Sequence, residues 1–223
     1  MRGLFVTGTD TGVGKTEVAC ALLAGWRAAG RDVVGMKPAQ SGLVPGEPSD
    51  AERLREASGR VEPLEAICPY GFEAPLAPAV AARLAGVTLE VERIEAAVHA
   101  LAARHEAVLV EGAGGLLVPL TETLTYADLA VRLGLPVLVV ARAGLGTVNH
   151  TALTVEALER RGLRVAGIVL NRTGPVDDPS VPHNAREIAR LTGREPIATL
   201  PWVPDIGARA AAFGSDLAAE IQF

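Results

Sequence analysis

Two lysines, Lys15 and Lys37, stand against nineteen arginines in this 223-residue chain. An ammonium is a compact point charge on a flexible stem and a guanidinium is a rigid fork, so scarce lysines mark places where a movable charge is needed. The first lies in Gly8-Thr9-Asp10-Thr11-Gly12-Val13-Gly14-Lys15-Thr16, between a β-type run, Gly3 to Thr7, and a stretch of helical spacing, Thr16 to Ala29. Strand, glycine loop and helix in that order make an anion cradle: glycines let successive N–H groups aim at one point, and the helix N-terminus adds partial positive charge. Phosphate is its natural occupant, with Lys15 reaching the β- and γ-phosphates and the Thr16 hydroxyl joining the oxygen shell of a magnesium ion. Five residues, not four, separate Gly8 from Gly14, so the strict motif fails at its first glycine, where Thr9 stands.

Three further groups could share that chemistry. Lys37, in Gly35-Met36-Lys37-Pro38-Ala39-Gln40-Ser41, follows an apolar strand; it reads as an exposed strand-end lysine or, given its scarcity, as a second chemical cation. Glu111 ends the run Ala107 to Val110 and precedes Gly112-Ala113-Gly114-Gly115, a position suited to a magnesium ligand or water-orienting acid, or to capping a glycine turn. Asp50, after Ser49, reads equally as a helix cap and as a metal ligand.

The elements that must hold these groups alternate along the chain. Asp32 to Met36, Ala107 to Glu111, Pro136 to Ala141, Arg164 to Asn171 and Ile197 to Leu200 read as further strands; Val91 to Arg104, Thr147 to Arg161 and Ala208 to Phe223 read as helices. Alternation implies parallel strands joined by crossover helices, and runs such as Val137-Leu138-Val139-Val140 fit strands buried on both faces. The expected fold is α/β: one domain over residues 1–223, an open, doubly wound, mainly parallel sheet with a P-loop. Its ligands belong beyond the carboxyl ends of the strands, where all the polar clusters fall.

Composition narrows the function. A net charge of −5 without a basic stripe argues against a nucleic-acid partner. No apolar run approaches the roughly twenty residues of a membrane span, and Met1 leads directly into a strand, so the expected location is cytoplasmic. Cys20 and Cys68 make no framework, and His99, His105, His150 and His183 lack zinc-site spacing.

Taken together, Val6 to Thr16, Lys37-Pro38 with Ser41-Gly42, Ser49-Asp50-Ala51, Val110 to Gly115, Gly144 to His150, Asn171 and Leu200-Pro201-Trp202 resemble dethiobiotin synthetase along nearly the whole chain. That family closes a cyclic urea, converting 7,8-diaminononanoate (7,8-diaminopelargonate), carbon dioxide and ATP to dethiobiotin, ADP and phosphate in biotin biosynthesis; its members are homodimers. The resemblance implies phosphate binding by Thr11, Gly12, Val13, Gly14, Lys15 and Thr16, with Gly112, Ala113 and Gly114 beside the nucleotide. It implies Mg2+ at Thr16, Asp50 and Glu111, catalytic cations at Lys37 and Lys15, and adenine recognition by Asn171 and the Leu200, Pro201, Trp202 turn. Arg172 reads equally as surface charge and as an adenine-side contact. Substrate contacts fall to Ser41, to Lys37 and to Leu145, Gly146, Thr147, Val148 and Asn149, whose helix N-terminus would hold the substrate's far carboxylate from the partner subunit. Two departures stand out: Gly12 where some members carry glutamate, and Ala77-Pro78-Ala79 where many carry Ser-Pro-His. A rival resemblance is to partition-type ATPases, nucleotide-driven dimerisation switches, but their signature lysine would fall at Asp10.

Overall fold

The computed structural model describes residues 1–204 and 206–221, with residues 206–211 described by backbone only. In chain order the elements are β1 (Gly3–Gly8), α1 (Lys15–Ala28), β2 (Val33–Met36), α2 (Asp50–Ala57), α3 (Leu64–Ile67), α4 (Pro78–Leu84), α5 (Val91–Ala102), β3 (Ala107–Gly115), α6 (Tyr126–Leu133), β4 (Val137–Arg142), α7 (Thr147–Glu159), β5 (Val165–Asn171), α8 (Val181–Thr192), β6 (Ala198–Leu200) and α9 (Ile206–Glu220). The strands form one parallel sheet in the order β2-β3-β1-β4-β5-β6. The expected α/β doubly wound architecture is therefore present.

Alternation of side chains across this sheet explains its uninterrupted apolar runs. Leu4, Val6, Leu109, Leu138 and Val140 pack on the face covered by α1, α2 and α9, while Phe5, Val108, Val110, Val137 and Val139 pack on the face covered by α5, α6 and α7. Both faces are dry, so the central strands are apolar along most of their length, and the buried polar exceptions, Thr7 in β1 and Glu111 in β3, lie toward their carboxyl ends. β1 lies between β3 and β4, and the helices that follow β1 and β4 leave over opposite faces. A crevice opens there beyond the strand ends, as doubly wound sheets require for a ligand.

The six strands expected from the sequence are all found, with one instructive difference. β3 runs past Glu111 to Gly115, because the glycine run stays paired with β1 through Gly8 and Gly115. The expected final helix, Ala208 to Phe223, is α9, and its last two residues, Gln222 and Phe223, lie outside the described residues. α1 and α9 cross almost backbone to backbone: a Cβ on Gly214 would stand 2.5 Å from the Ala21 carbonyl oxygen. This clamps the helix whose first turn carries Lys15 and Thr16.

Candidate active site

The phosphate loop is shaped by two glycines in the left-handed region. Gly12 has φ +71° and Gly14, the residue that caps α1, has φ +90°, a conformation L side chains rarely adopt. No side chain caps α1, so its first turn presents main-chain N–H groups to the crevice. The Asn171 amide, at the end of β5, donates to the Val13 carbonyl at 3.0 Å and packs so closely on Gly14 that a Cβ there would collide with it. The departure from the strict motif has a structural cause. The Thr9 N–H donates to the Val140 carbonyl at 3.0 Å, so pairing with β4 continues one residue beyond Gly8 and the loop proper starts later. Asp10 then accepts from the Thr11 N–H at 2.7 Å and from the Arg142 guanidinium at 2.6 Å. The sequence reading missed Arg142; its one signal was a charge closing the apolar run of β4.

Lys15 folds along the loop, its Nζ donating to the Asp10 carbonyl at 3.4 Å. Burial holds its ammonium below its ordinary pKa and neighbouring Lys37 pushes the same way, against the attraction of Glu111 and Asp50.

Beside the loop lies a buried ionic knot. Lys37, only 2% exposed, donates to Glu111 Oε1 at 2.6 Å, Asp50 Oδ2 at 2.8 Å and the Gly112 carbonyl at 3.3 Å. The Thr16 hydroxyl donates to the same Glu111 Oε1 at 2.9 Å. Burial alone would depress the Lys37 ammonium, but Glu111 and Asp50 outweigh it and hold the pKa above its ordinary value, so Lys37 is charged. Burial raises the Glu111 carboxyl and the Asp50 charge adds to that, with Lys37 opposing. Burial works to raise Asp50 as well, yet the Lys37 ammonium beside it wins and its pKa falls. The cap of α2 is not supplied by Asp50. Ser49 caps α2 through a reciprocal pair with Glu52, leaving the Asp50 carboxylate turned to Lys37.

These groups line a cavity of about 630 Å³. Around it stand Thr11, Gly12, Gly14, Lys15, Thr16, Lys37, Ser41, Asp50, Glu111, Ala113 and Gly114, with Ala77 and Pro78 on the far wall. Ser41 donates its hydroxyl proton to the Leu76 carbonyl at 2.6 Å. Gln40, which the sequence reading passed over, also lines the cavity and accepts from the Ala51 N–H at 3.1 Å, fixing the start of α2. A second cavity of about 250 Å³ lies across the loop, lined by Gly12, Gly14, Glu17, Asn171, Thr173, Trp202, Val203 and Pro204. The Val13 side chain is instead buried in the core, as is Leu200 beside Asn171 in the β5–β6 ladder. Pro201 follows Leu200 on the surface. Arg172 turns to the Asp177 carboxylate at 2.7 Å and lines neither cavity.

The loop at the start of α7 is not brought to either cavity of this chain. Leu145 is 80% exposed, and its N–H is taken by Asp178 Oδ2 at 2.7 Å. The buried Thr147 hydroxyl meets that of Thr151 and its N–H donates to the Gly144 carbonyl at 3.3 Å, so any anion here would use the main chain of Gly146, Val148 and Asn149 first. Asp178 comes from the Gly174 to Pro182 segment, which carries no sequence signal.

The donors around Glu111 suit a hard cation. Two carboxylates and a hydroxyl gather there, and buried Glu111 Oε2 has no hydrogen-bond partner among the described residues. No group of three His, Cys, Asp or Glu able to hold a metal exists among the described residues. Cys20 and Cys68 lie outside this chemistry: burial pushes their thiols up to about 12 and about 11. No described helix is long and apolar enough to cross a membrane.

An AAA domain family matches residues 2–210. Among solved structures, MinD cell division protein from Aquifex aeolicus superposes with TM-score 0.60 at 14% identity, covering 98% of this chain and 96% of that one. A ParA family ATPase from Chlorobium tepidum superposes with TM-score 0.57 at 16% identity, covering 98% and 92%. At such identities these likenesses show the shared fold alone. The sequence relatives are far nearer: ATP-dependent dethiobiotin synthetase BioD of Anaeromyxobacter dehalogenans strain 2CP-1 is 79% identical over 223 residues, the whole of both chains. The protein of the same name from Ralstonia nicotianae is 41% identical over 222 residues, covering 96% of this chain and 95% of its own. This chain therefore belongs to the ATP-dependent dethiobiotin synthetase family.

Proposed function

We propose that residues 1–223 form one ligase domain that closes 7,8-diaminononanoate with carbon dioxide and ATP into dethiobiotin. The observation that carries this reading is the convergence of both lysines, Thr16, Asp50 and Glu111 on one cavity of about 630 Å³, adjoining a second that suits a base. One substrate amine takes up carbon dioxide as a carbamate. A carbamate oxygen then bonds to the γ-phosphorus as the bond to the β-phosphate oxygen breaks and ADP leaves. The second amine attacks the carbamoyl carbon, the C–O bond breaks, phosphate departs and the amine gives up its proton. None of these steps needs a protein nucleophile. The chain supplies position and positive charge: main-chain N–H groups of Thr11 to Thr16 hold the phosphates, while Lys15 and Lys37 face the oxygens on which negative charge grows. Thr16, Asp50 and Glu111 would hold Mg2+, which supplies charge neutralisation at the phosphates. Asn171 and Trp202, on the second cavity, would receive adenine. Purified protein with ATP, Mg2+, bicarbonate and the diamine is expected to yield dethiobiotin by mass spectrometry only when all four are present. ATP hydrolysis indifferent to the diamine would instead favour a nucleotide switch.

The exposed start of α7 supports a shared site in a homodimer, with Gly146 to Asn149 of one subunit receiving the carboxylate of a diamine bound by the other. Gly146 has φ +89°, so Gly146→Val distorts that array. Mixed dimers of Gly146→Val and Lys37→Ala subunits are expected to regain activity that neither parent has, because one site then keeps both intact parts. Verified mixed dimers that stay inactive would make each subunit's site self-contained.

A further inference from the structure

We propose that Lys37 and the divalent cation exclude one another from the Asp50–Glu111 pair, so that arrival of the metal–nucleotide complex releases Lys37 into the reaction cavity. The inference rests on reading Asp50 and Glu111 as metal ligands and adds what becomes of the lysine. An ammonium has three protons to donate. Lys37 spends them on Glu111 Oε1, Asp50 Oδ2 and the Gly112 carbonyl. In that position it has no proton left for a carbamate or phosphoryl oxygen. The oxygens it holds belong to the same carboxylates that a cation beside Thr16 would need: a cation on the unpartnered Oε2 of buried Glu111 would stand next to the ammonium on Oε1, where the two positive charges repel with little water to screen them.

Everything required for the exchange is local. The Lys37 main chain is fixed at the end of β2, its N–H donating to the Ile67 carbonyl at 2.8 Å, and Pro38 follows. Only the four-carbon stem has to swing, and Lys37 already lines the cavity it would enter. Thr16 Oγ1 gives its proton to Glu111, which leaves its lone pairs for a cation. A lysine held this way is withheld until the triphosphate and its metal are seated, which couples nucleotide loading to the appearance of the catalytic charge. The wide, planar guanidinium of arginine could not make such an exchange within the same space, which accounts for a lysine here in an arginine-rich chain.

With only two lysines, ¹⁵N-lysine labelling gives two ammonium resonances to follow in the wild-type protein. ADP with EDTA is expected to shift Lys15 and leave Lys37 in place; Mg2+ with ADP is expected to move Lys37. In a nucleotide-free titration followed by Mn2+ electron paramagnetic resonance, Lys37→Met is expected to bind Mn2+ at least about tenfold more tightly than wild type, and adding Glu111→Gln should cancel the gain. A Lys37 resonance unmoved by Mg2+ and ADP, or equal Mn2+ affinity in folded Lys37→Met and wild type, would overturn the exclusion. Failure of Mn2+ with ADP to bind wild type, or binding there that ignores Glu111→Gln, would instead remove the metal-site reading itself.

Discussion

Lys37→Ala is expected to lower kcat by about 10²–10³-fold, the scale set by removing one preorganised donor from a developing oxyanion, while calorimetric ATP affinity is retained. The reason for the split is position. The Lys15 and Thr16 main chain and Asn171 shape the proposed nucleotide site without Lys37, whose ammonium lies among carboxylates instead. Equal losses in affinity and turnover would make Lys37 a nucleotide-binding residue. A second effect separates this lysine from a surface one. Removing it leaves Glu111, which is 0% exposed, without its cation, and breaking a buried pair costs about 3–5 kcal/mol. For a chain of this size that is a fall in Tm of roughly 6–20 °C. Burial already raises the Glu111 carboxyl, so the variant can escape part of the penalty by taking up a proton. Its folded-state pKa then stands above the unfolded value, so the stabilisation is present at acid pH and lost as pH rises. The gap in Tm between Lys37→Ala and wild type should therefore narrow as pH is lowered from neutrality; a gap that widens would remove Glu111 as its source.

What could be read from the sequence was what is local or periodic. The phosphate loop announces itself because strand, glycines, lysine and helix are contiguous, and the central strands because two dry faces favour apolar residues at successive positions. α3, α4, α6 and α8 were not anticipated, for different reasons. α3 is a single turn; α4 has neither length nor a side-chain cap; α8 carries Val181, Ala185 and Ile188 at helical spacing, a stripe that starts inside the proline-rich Gly174 to Pro182 stretch and is masked by it. α6 has a reciprocal cap, but its N3 acid is Asp128, where the recognised pattern expects Glu or Gln. At the site, residue types were legible and pairings were not. Lys37 to Glu111 spans 74 positions and Arg142 to Asp10 spans 132; the first contact exists only once β2 pairs with β3, and the second only once β4 pairs with β1. The same limit hid Asp178, whose bond to the Leu145 N–H narrows the proposed carboxylate site to the residues that follow.

Glu111→Gln is the other change expected to have a large effect, because one side chain serves Lys37, Thr16 and the proposed metal at once. The amide keeps the shape and one acceptor oxygen but loses the charge, and magnesium depends on anionic oxygens to repay its costly dehydration. Outer-shell partners of metal ligands alone cost about 10–100-fold in affinity or activity when removed, so loss of a direct ligand should exceed that range in Mg2+-dependent turnover. Asp50→Asn should do less harm to the fold than Glu111→Gln: the Asp50 side chain is 40% exposed, so water can take over part of its role, whereas Glu111 has no access to water. The comparison of the two variants is the sharper test. If both lose magnesium dependence but only Glu111→Gln loses several degrees of Tm, the carboxylates share the metal while Glu111 alone anchors the buried knot. If Glu111→Gln leaves the magnesium titration unchanged, the carboxylate belongs to the fold and to Lys37, and the cation must be held by Thr16, Asp50 and the phosphates.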